Sequence, residues 1–287
     1  MKMRLTVVSC TIVVCIAQQY KGMKCMTELA FIEKFLKANR NYVLEKFTDK
    51  ASLAVADKDN PNDLLTEVDL TLQKRFVEAV AKTYSDDVVI GEESGLNVLP
   101  ENPDGRVWII DPIDGTYNFV RGLNPAFAIA IAFAREGFAQ AAGVFMPRNG
   151  LMFLAEAGAG AYCNGKRMTV STVQHFDEAC MEIDFGTGKN RNILVRRAGD
   201  ALRQAGQVRC QGSAVVGICQ VASGDVDGYL HIGLDPWDYA AAQLVAEEAG
   251  ALATRLDGEP LRLFDGKQGV LISNGAIHKT VLALLTR

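Results

Sequence analysis

Residues 108–119, Trp-Ile-Ile-Asp-Pro-Ile-Asp-Gly-Thr-Tyr-Asn-Phe, run an apolar stretch into two acids three positions apart and then into Gly-Thr. The apolar part predicts a buried strand over residues 107–110, and the acids mark the end where backbone leaves the sheet. Pro112 fixes its own φ and removes a donor, so a stiff turn here would leave carbonyls free to face a cation. Asp111 and Asp114 can then reach one ion, or two adjacent ions bridged by Asp111. Gly115 and Thr116 follow as a helix start, whose free N–H groups suit phosphate oxygens. The same residues also spell an ordinary Asp-capped turn, so the stretch alone leaves both readings open.

Other acids stand at the edges of apolar elements: Asp69, Glu92-Glu93 and Asp238. Carboxylates brought to one mouth repel, and their pKa values rise. A hard divalent cation resolves the repulsion, and Mg²⁺ keeps waters that a substrate can replace. Singly, Glu92-Glu93 fits a solvated loop and Asp238 in Pro236-Trp237-Asp238 fits a helix cap. Their order along the chain is the stronger signal.

Around these motifs the pattern divides. Helical spacing covers residues 27–47 and 64–84, the second with Leu70, Leu72, Phe76, Val77 and Val80 facing inward. Residues 88–90 and 107–110 read as strands. Phe127 to Phe133 (FAIAIAF) alternates large and small, and further strands follow with hairpin signals at Asn149-Gly150 and Asn164-Gly165. That makes residues 26–165 an α+β half with a run of antiparallel strands. Residues 166–287 alternate strand and helix, an α/β half that supplies Asp238.

Apolar residues make up 49% and charged residues 22%, as in an ordinary soluble globular chain. The net charge of −4 argues against nucleic-acid binding by general electrostatics. Seven cysteines without CxxC spacing and three histidines give no support to a zinc site and suit a reducing, cytoplasmic setting. Lys2 and Arg4 precede an uncharged stretch over residues 5–17, too short for a membrane span. Residues 1–25 are therefore read as a signal-like extension, or as sequence upstream of a true start at Met23 or Met26.

The order Gly91-Glu-Glu-Ser, WIIDPIDGTYNF, Gly212-Ser-Ala, Asp227-Gly-Tyr and Pro236-Trp-Asp-Tyr-Ala-Ala-Ala resembles the inositol monophosphatase family of Mg²⁺-dependent, lithium-sensitive phosphatases. The resemblance runs from about Thr27 to the carboxyl end. It implies a five-layer αβαβα sandwich, shared with the fructose-1,6-bisphosphatase type, usually as a homodimer and with the site between the halves. It implies two to three Mg²⁺ ions held by Glu92, Asp111, the Ile113 carbonyl, Asp114 and Asp238. Asp69 matches the partner of the motif threonine, Thr116. Gly115 and Thr116 match the phosphate-binding amides, Ser213 and Ala214 a substrate-side segment, and Lys58 a basic residue near the site. The implied chemistry is in-line attack on phosphorus by a water whose pKa the metal lowers, with Thr116 and Glu92 orienting it.

One position departs from the pattern. Seven residues before Asp238, inositol-processing members carry a glutamate that accepts from substrate hydroxyls, and here His231 stands there. An imidazole either takes another role toward substrate or simply packs at a strand end. Inositol monophosphate is the leading ester, with histidinol phosphate and fructose 1,6-bisphosphate as alternatives. A catalytically silent metal-binding regulator is the reading from a different class.

Overall fold

The large–small alternation over residues 127–133 sets the order of the layers. The computed structural model describes residues 26–49, 53–57, 64–122, 126–186 and 188–285. Helix α1 (Glu28–Thr48) begins at Thr27, whose hydroxyl accepts from the Ala30 amide at 3.2 Å. An antiparallel pair, β1 (Val55–Asp57) and β2 (Leu64–Thr66), leads into α2 (Glu67–Thr83). A seven-stranded sheet follows in chain order: β3 (Val88–Gly91), β4 (Arg106–Asp114), β5 (Ala128–Arg135), β6 (Phe138–Met146), β7 (Leu151–Glu156), β8 (Gly160–Cys163) and β9 (Lys166–Arg167). A short helix, α3 (Thr116–Arg121), interrupts it after β4.

The second half consists of β10 (Cys180–Ile183), α4 (Gly188–Gln204), β11 (Gln207–Arg209), α5 (Ala214–Ser223), β12 (Gly228–Leu234), α6 (Pro236–Glu248), β13 (Leu252–Arg255), β14 (Gln268–Ser273) and α7 (His278–Leu284). Its five strands lie in the order β11-β10-β12-β14-β13.

Successive strand residues face opposite sides of a sheet. Ile129, Ile131 and Phe133 therefore join Ile32, Leu36, Phe76 and Trp108 in a core beneath α1 and α2. Ala128, Ala130, Ala132 and Ala134 join the core formed with α5, α6 and the second sheet. Small side chains are needed there because α5 and α6 lie between two sheets, and Ala240, Ala241 and Ala242 are equally small and buried. A third core packs α4 and α7 on the far face of the second sheet. The layers run α1/α2, sheet, α5/α6, sheet, α4/α7, the αβαβα sandwich expected from the resemblance. Among the described residues no helix is long and apolar enough to cross a membrane.

Several expectations need correction. Residues 64–66 form a strand, not the start of α2. Thr66 ends the strand because its hydroxyl accepts from the Val68 amide at 3.1 Å and so caps the helix. Leu70 points outward, 48% exposed, and Val77 is only half-buried. The expected run of antiparallel strands holds from β4 to β9, and β3 is added at the edge as a parallel strand. The strand read over residues 107–110 continues through Asp114.

Candidate metal and phosphate site

The continuation of β4 through Pro112 answers why the acids are three apart. In a regular strand, positions i and i+3 face opposite sides. Here Asp111 pairs with Ala130 and Asp114 with Ala128, so three steps on β4 match two on β5. The extra residue is a β-bulge, which restores a common face to the two acids. Proline is tolerated at that point because the ladder is already broken and the missing N–H costs little. The motif is a bulged strand rather than the free turn expected from its composition.

Gly115 then turns the chain into α3 with φ 82°. A Cβ there would lie 2.7 Å from the Ala126 carbonyl oxygen, so only glycine fits. The Thr116 hydroxyl donates to the Ile113 carbonyl at 2.8 Å. The first amides of a helix have no intrahelical acceptor, which suits Gly115 and Thr116 to an anion's oxygens.

Two cavities adjoin. The smaller, about 190 Å³, is lined by Glu92, Asp111, Ile113, Asp114, Gly115, Thr116 and Asp238. Every residue expected as a metal ligand therefore borders one space. The larger, about 710 Å³, shares Asp114 and Asp238 and adds Ser213, Ala214 and His231. Sequence reasoning missed Asp184, Arg191 and Tyr229 in its wall. Asp184 follows the end of β10 and carries the strand-end signal used for the other acids. Arg191, on a polar helix, offered no signal.

The electrostatics are those of crowded acids. Burial raises the Asp111 carboxyl well above its usual range, and repulsion from Glu92, Asp114, Asp238 and Asp69 adds to it. Burial pushes Asp114 up to about 7 against the Ser213 hydrogen bond. Burial, then repulsion from Glu92, raises the Asp238 carboxyl well above its usual range. Asp111 Oδ1 and Asp69 Oδ1 are buried with no hydrogen-bond partner.

The outer oxygens of Asp114 and Asp238 are turned to protein donors. Asp114 Oδ2 accepts from the Ser213 hydroxyl and from the Val215 amide at 3.0 Å, at the start of α5. Asp238 Oδ2 accepts from the Asp235 amide at 2.8 Å, so it does cap α6. Correspondingly, among the described residues no group of three acidic, histidine or cysteine side chains is disposed to hold an ion as the side chains stand. They share a cavity without converging.

Two further expectations change. Asp69 does not bond Thr116; its Oδ2 accepts from the Thr66 amide and hydroxyl at 2.8 and 2.6 Å, closing the capping box of α2. Ser213 faces the larger cavity, but its hydroxyl is spent on Asp114. Lys58 and the extension over residues 1–25 lie outside the described residues.

A family model described as the inositol monophosphatase family matches residues 25–287. The chain belongs to the inositol monophosphatase family. It is 33% identical over 231 residues to the inositol-1-monophosphatase of Bacillus subtilis, covering 80% of this chain and 86% of that one. To the chloroplastic phosphatase IMPL1 of Arabidopsis thaliana it is 36% identical over 232 residues, covering 77% of this chain and 60% of that one. The Nus factor SuhB of Escherichia coli is 32% identical over 230 residues, covering 79% of this chain and 84% of that one. Among solved structures, the Thermotoga maritima IMPase superposes with a TM-score of 0.76 at 28% identity, covering 88% of this chain and 93% of that one. Membership makes the inositol monophosphatase-type chain a phosphoric monoester hydrolase with the family's layered fold.

Proposed function

We propose that the chain hydrolyses a small phosphorylated alcohol, inositol monophosphate first among candidates, with two to three Mg²⁺ ions held by Glu92, Asp111, the Ile113 carbonyl, Asp114 and Asp238. The observation that carries this is a cavity bordered by four acids, with a buried, unbonded Asp111 oxygen at its wall. Hard oxygen donors crowded around one cavity fit a hard cation and fit little else. Bound there, Mg²⁺ would supply positive charge for phosphoryl oxygens and lower the pKa of an attacking water.

The chain's own residues do the remainder. The β4 bulge presents Asp111 and Asp114 together, and Ser213 with the Val215 amide orients Asp114 from the other half of the molecule. Gly115 and Thr116 receive the phosphate, and Glu92 and Thr116 orient the water. The Thr116 hydroxyl donates to the Ile113 carbonyl, tying the phosphate side of the loop to a ligand position. Asp69 acts by holding the first turn of α2 in place. The larger cavity takes the alcohol portion, bordered by Ala214 and His231.

Lithium sensitivity, a homodimer and a cytoplasmic setting belong to the same proposal and rest on family membership. Histidinol phosphate and fructose 1,6-bisphosphate are the competing esters. A silent metal-binding regulator would be expected to have lost cavity acids, and none is lost. The test is phosphate release from these three esters with Mg²⁺ or with EDTA, in wild type and Asp111→Asn. Release that is indifferent to EDTA, or undiminished in the variant, would sink the proposal.

A further inference from the structure

The larger cavity has a wall that the reading above leaves unused. Strand β12 carries its own bulge, since His231 pairs with Val270 and Leu234 with Gln268. Inside that bulge the Gly233 amide donates to His231 Nδ1 at 3.1 Å. A backbone amide can only donate, so Nδ1 is the lone-pair nitrogen and the proton of the neutral ring sits on Nε2. The ring is 8% exposed and borders the cavity. Burial lowers its pKa, with Asp184 opposing and Lys267 adding to the effect, which favours the neutral form.

Nε2 lies 3.5 Å from the point where a side chain on Gly186 would begin. The carbonyl of the same Gly186 accepts from Arg191 Nη2 at 3.2 Å. An imidazole N–H and an exposed guanidinium thus flank one glycine at the cavity wall. Asp184 is the acid best placed to replace the missing acceptor, but its oxygens are engaged. Oδ1 accepts from the Gly212 amide at 2.8 Å and Oδ2 from the Tyr229 hydroxyl at 3.1 Å. At this wall the chain offers donors where a carboxylate would offer acceptors.

We propose that the alcohol portion of the substrate carries a second anionic acceptor, a carboxylate or another phosphate, received by His231 Nε2–H and Arg191. This rests on the phosphatase reading and reorders its candidates, moving an ester with a second anion such as fructose 1,6-bisphosphate ahead of inositol monophosphate. A polyol phosphate with hydroxyls alone would leave both donors without an anion to receive.

Matched esters decide it. Glycerol 3-phosphate against 3-phosphoglycerate tests the carboxylate, and fructose 6-phosphate against fructose 1,6-bisphosphate tests the second phosphate. Wild type should favour the anionic member of at least one pair in kcat/KM. His231→Glu should cut that preference roughly 10- to 100-fold, the scale of a hydrogen bond to a charged group. His231→Gln, whose amide still donates, should keep most of it, and Arg191→Ala should reduce it. A general loss of packing would lower both members of a pair alike, so an unchanged ratio in His231→Glu overturns the inference.

Two further readouts do not depend on turnover. Imidazole ¹⁵N NMR, assigned by the signal missing in His231→Gln, should place the proton on Nε2 at neutral pH; a proton on Nδ1 overturns the inference. Calorimetric titration of 3-phosphoglycerate and glycerol 3-phosphate should show the same preference in binding. If wild type released phosphate from no ester, the phosphatase reading would fall, and these two measurements would still decide the inference.

Discussion

Replacing Asp114 by asparagine should stabilise the metal-free protein while removing its activity. The hydrogen bonds survive in principle, because an amide oxygen can accept from both the Ser213 hydroxyl and the Val215 amide. What disappears is the charge. Burial, with added repulsion from Asp184 and Glu92, moves the carboxyl from 3.8 to about 7. A raised acid holds a proton in the fold that the unfolded chain has already released. Between about pH 4 and pH 7 the folded state therefore binds more protons, and its stability falls as pH rises through that window. Above pH 7 the penalty is complete, about three units at 1.36 kcal/mol each, or ~4 kcal/mol. Burying an amide NH₂ where an oxygen stood takes back part of this, leaving a gain of roughly 1–3 kcal/mol. For a chain of this size that is a rise in Tm of roughly 2–5 °C. Thermal melts in EDTA at pH 8 measure it; near pH 4, where the charge penalty is gone and the amide cost remains, the variant should melt slightly below wild type. Added Mg²⁺ should raise the Tm of wild type and leave the variant little changed. A variant that melts below wild type in EDTA at pH 8, or that responds to Mg²⁺ as wild type does, would refute the reasoning.

Three other outcomes follow from the same geometry. Protons compete with cations at Asp111, Asp114 and Asp238, whose carboxyls are all raised, so Mg²⁺ affinity measured by calorimetry should strengthen from pH 6 to pH 8; a flat profile contradicts this. Gly115→Ala forces a left-handed Cβ against the Ala126 carbonyl and should cost more than ~1–2 kcal/mol in chemical denaturation, with loss of phosphate release. Ser213→Ala removes the cap of α5, at ~1 kcal/mol, and frees Asp114. Its denaturation midpoint should fall and its Mg²⁺ affinity should change, whereas an unchanged affinity would separate Ser213 from the metal cavity.

Much of the fold was legible because its signals are local. The alternation over residues 127–133 foretold a strand with one bulky and one small face, and Gly115 followed by Thr116 foretold a helix start. The acids that line the smaller cavity were legible as acids at the ends of apolar runs. The bulge at Pro112 was not, since a slip of register is visible only against the partner strand, and composition there reads equally well as a turn. Residues 64–66 looked helical because their apolar spacing continues that of α2, and the local Thr66-x-x-Asp69 capping box that ends the strand was passed over. The expected link from Asp69 to Thr116 failed for the same reason: the nearer Thr66 takes the carboxylate. Arg191 lies on a helix whose polar sequence gives no hint of a cavity below it.

Folding brings Glu92, Asp111, Asp114 and Asp238 to one cavity, and the proposed function has them hold a divalent cation there. Anomalous diffraction from crystals soaked in Mn²⁺, as a stand-in for Mg²⁺, tests it directly. Peaks within bonding distance of Asp111 and at least two of the other three acids are the predicted result. A map with no peak in that cavity, or with peaks only elsewhere, would contradict the account.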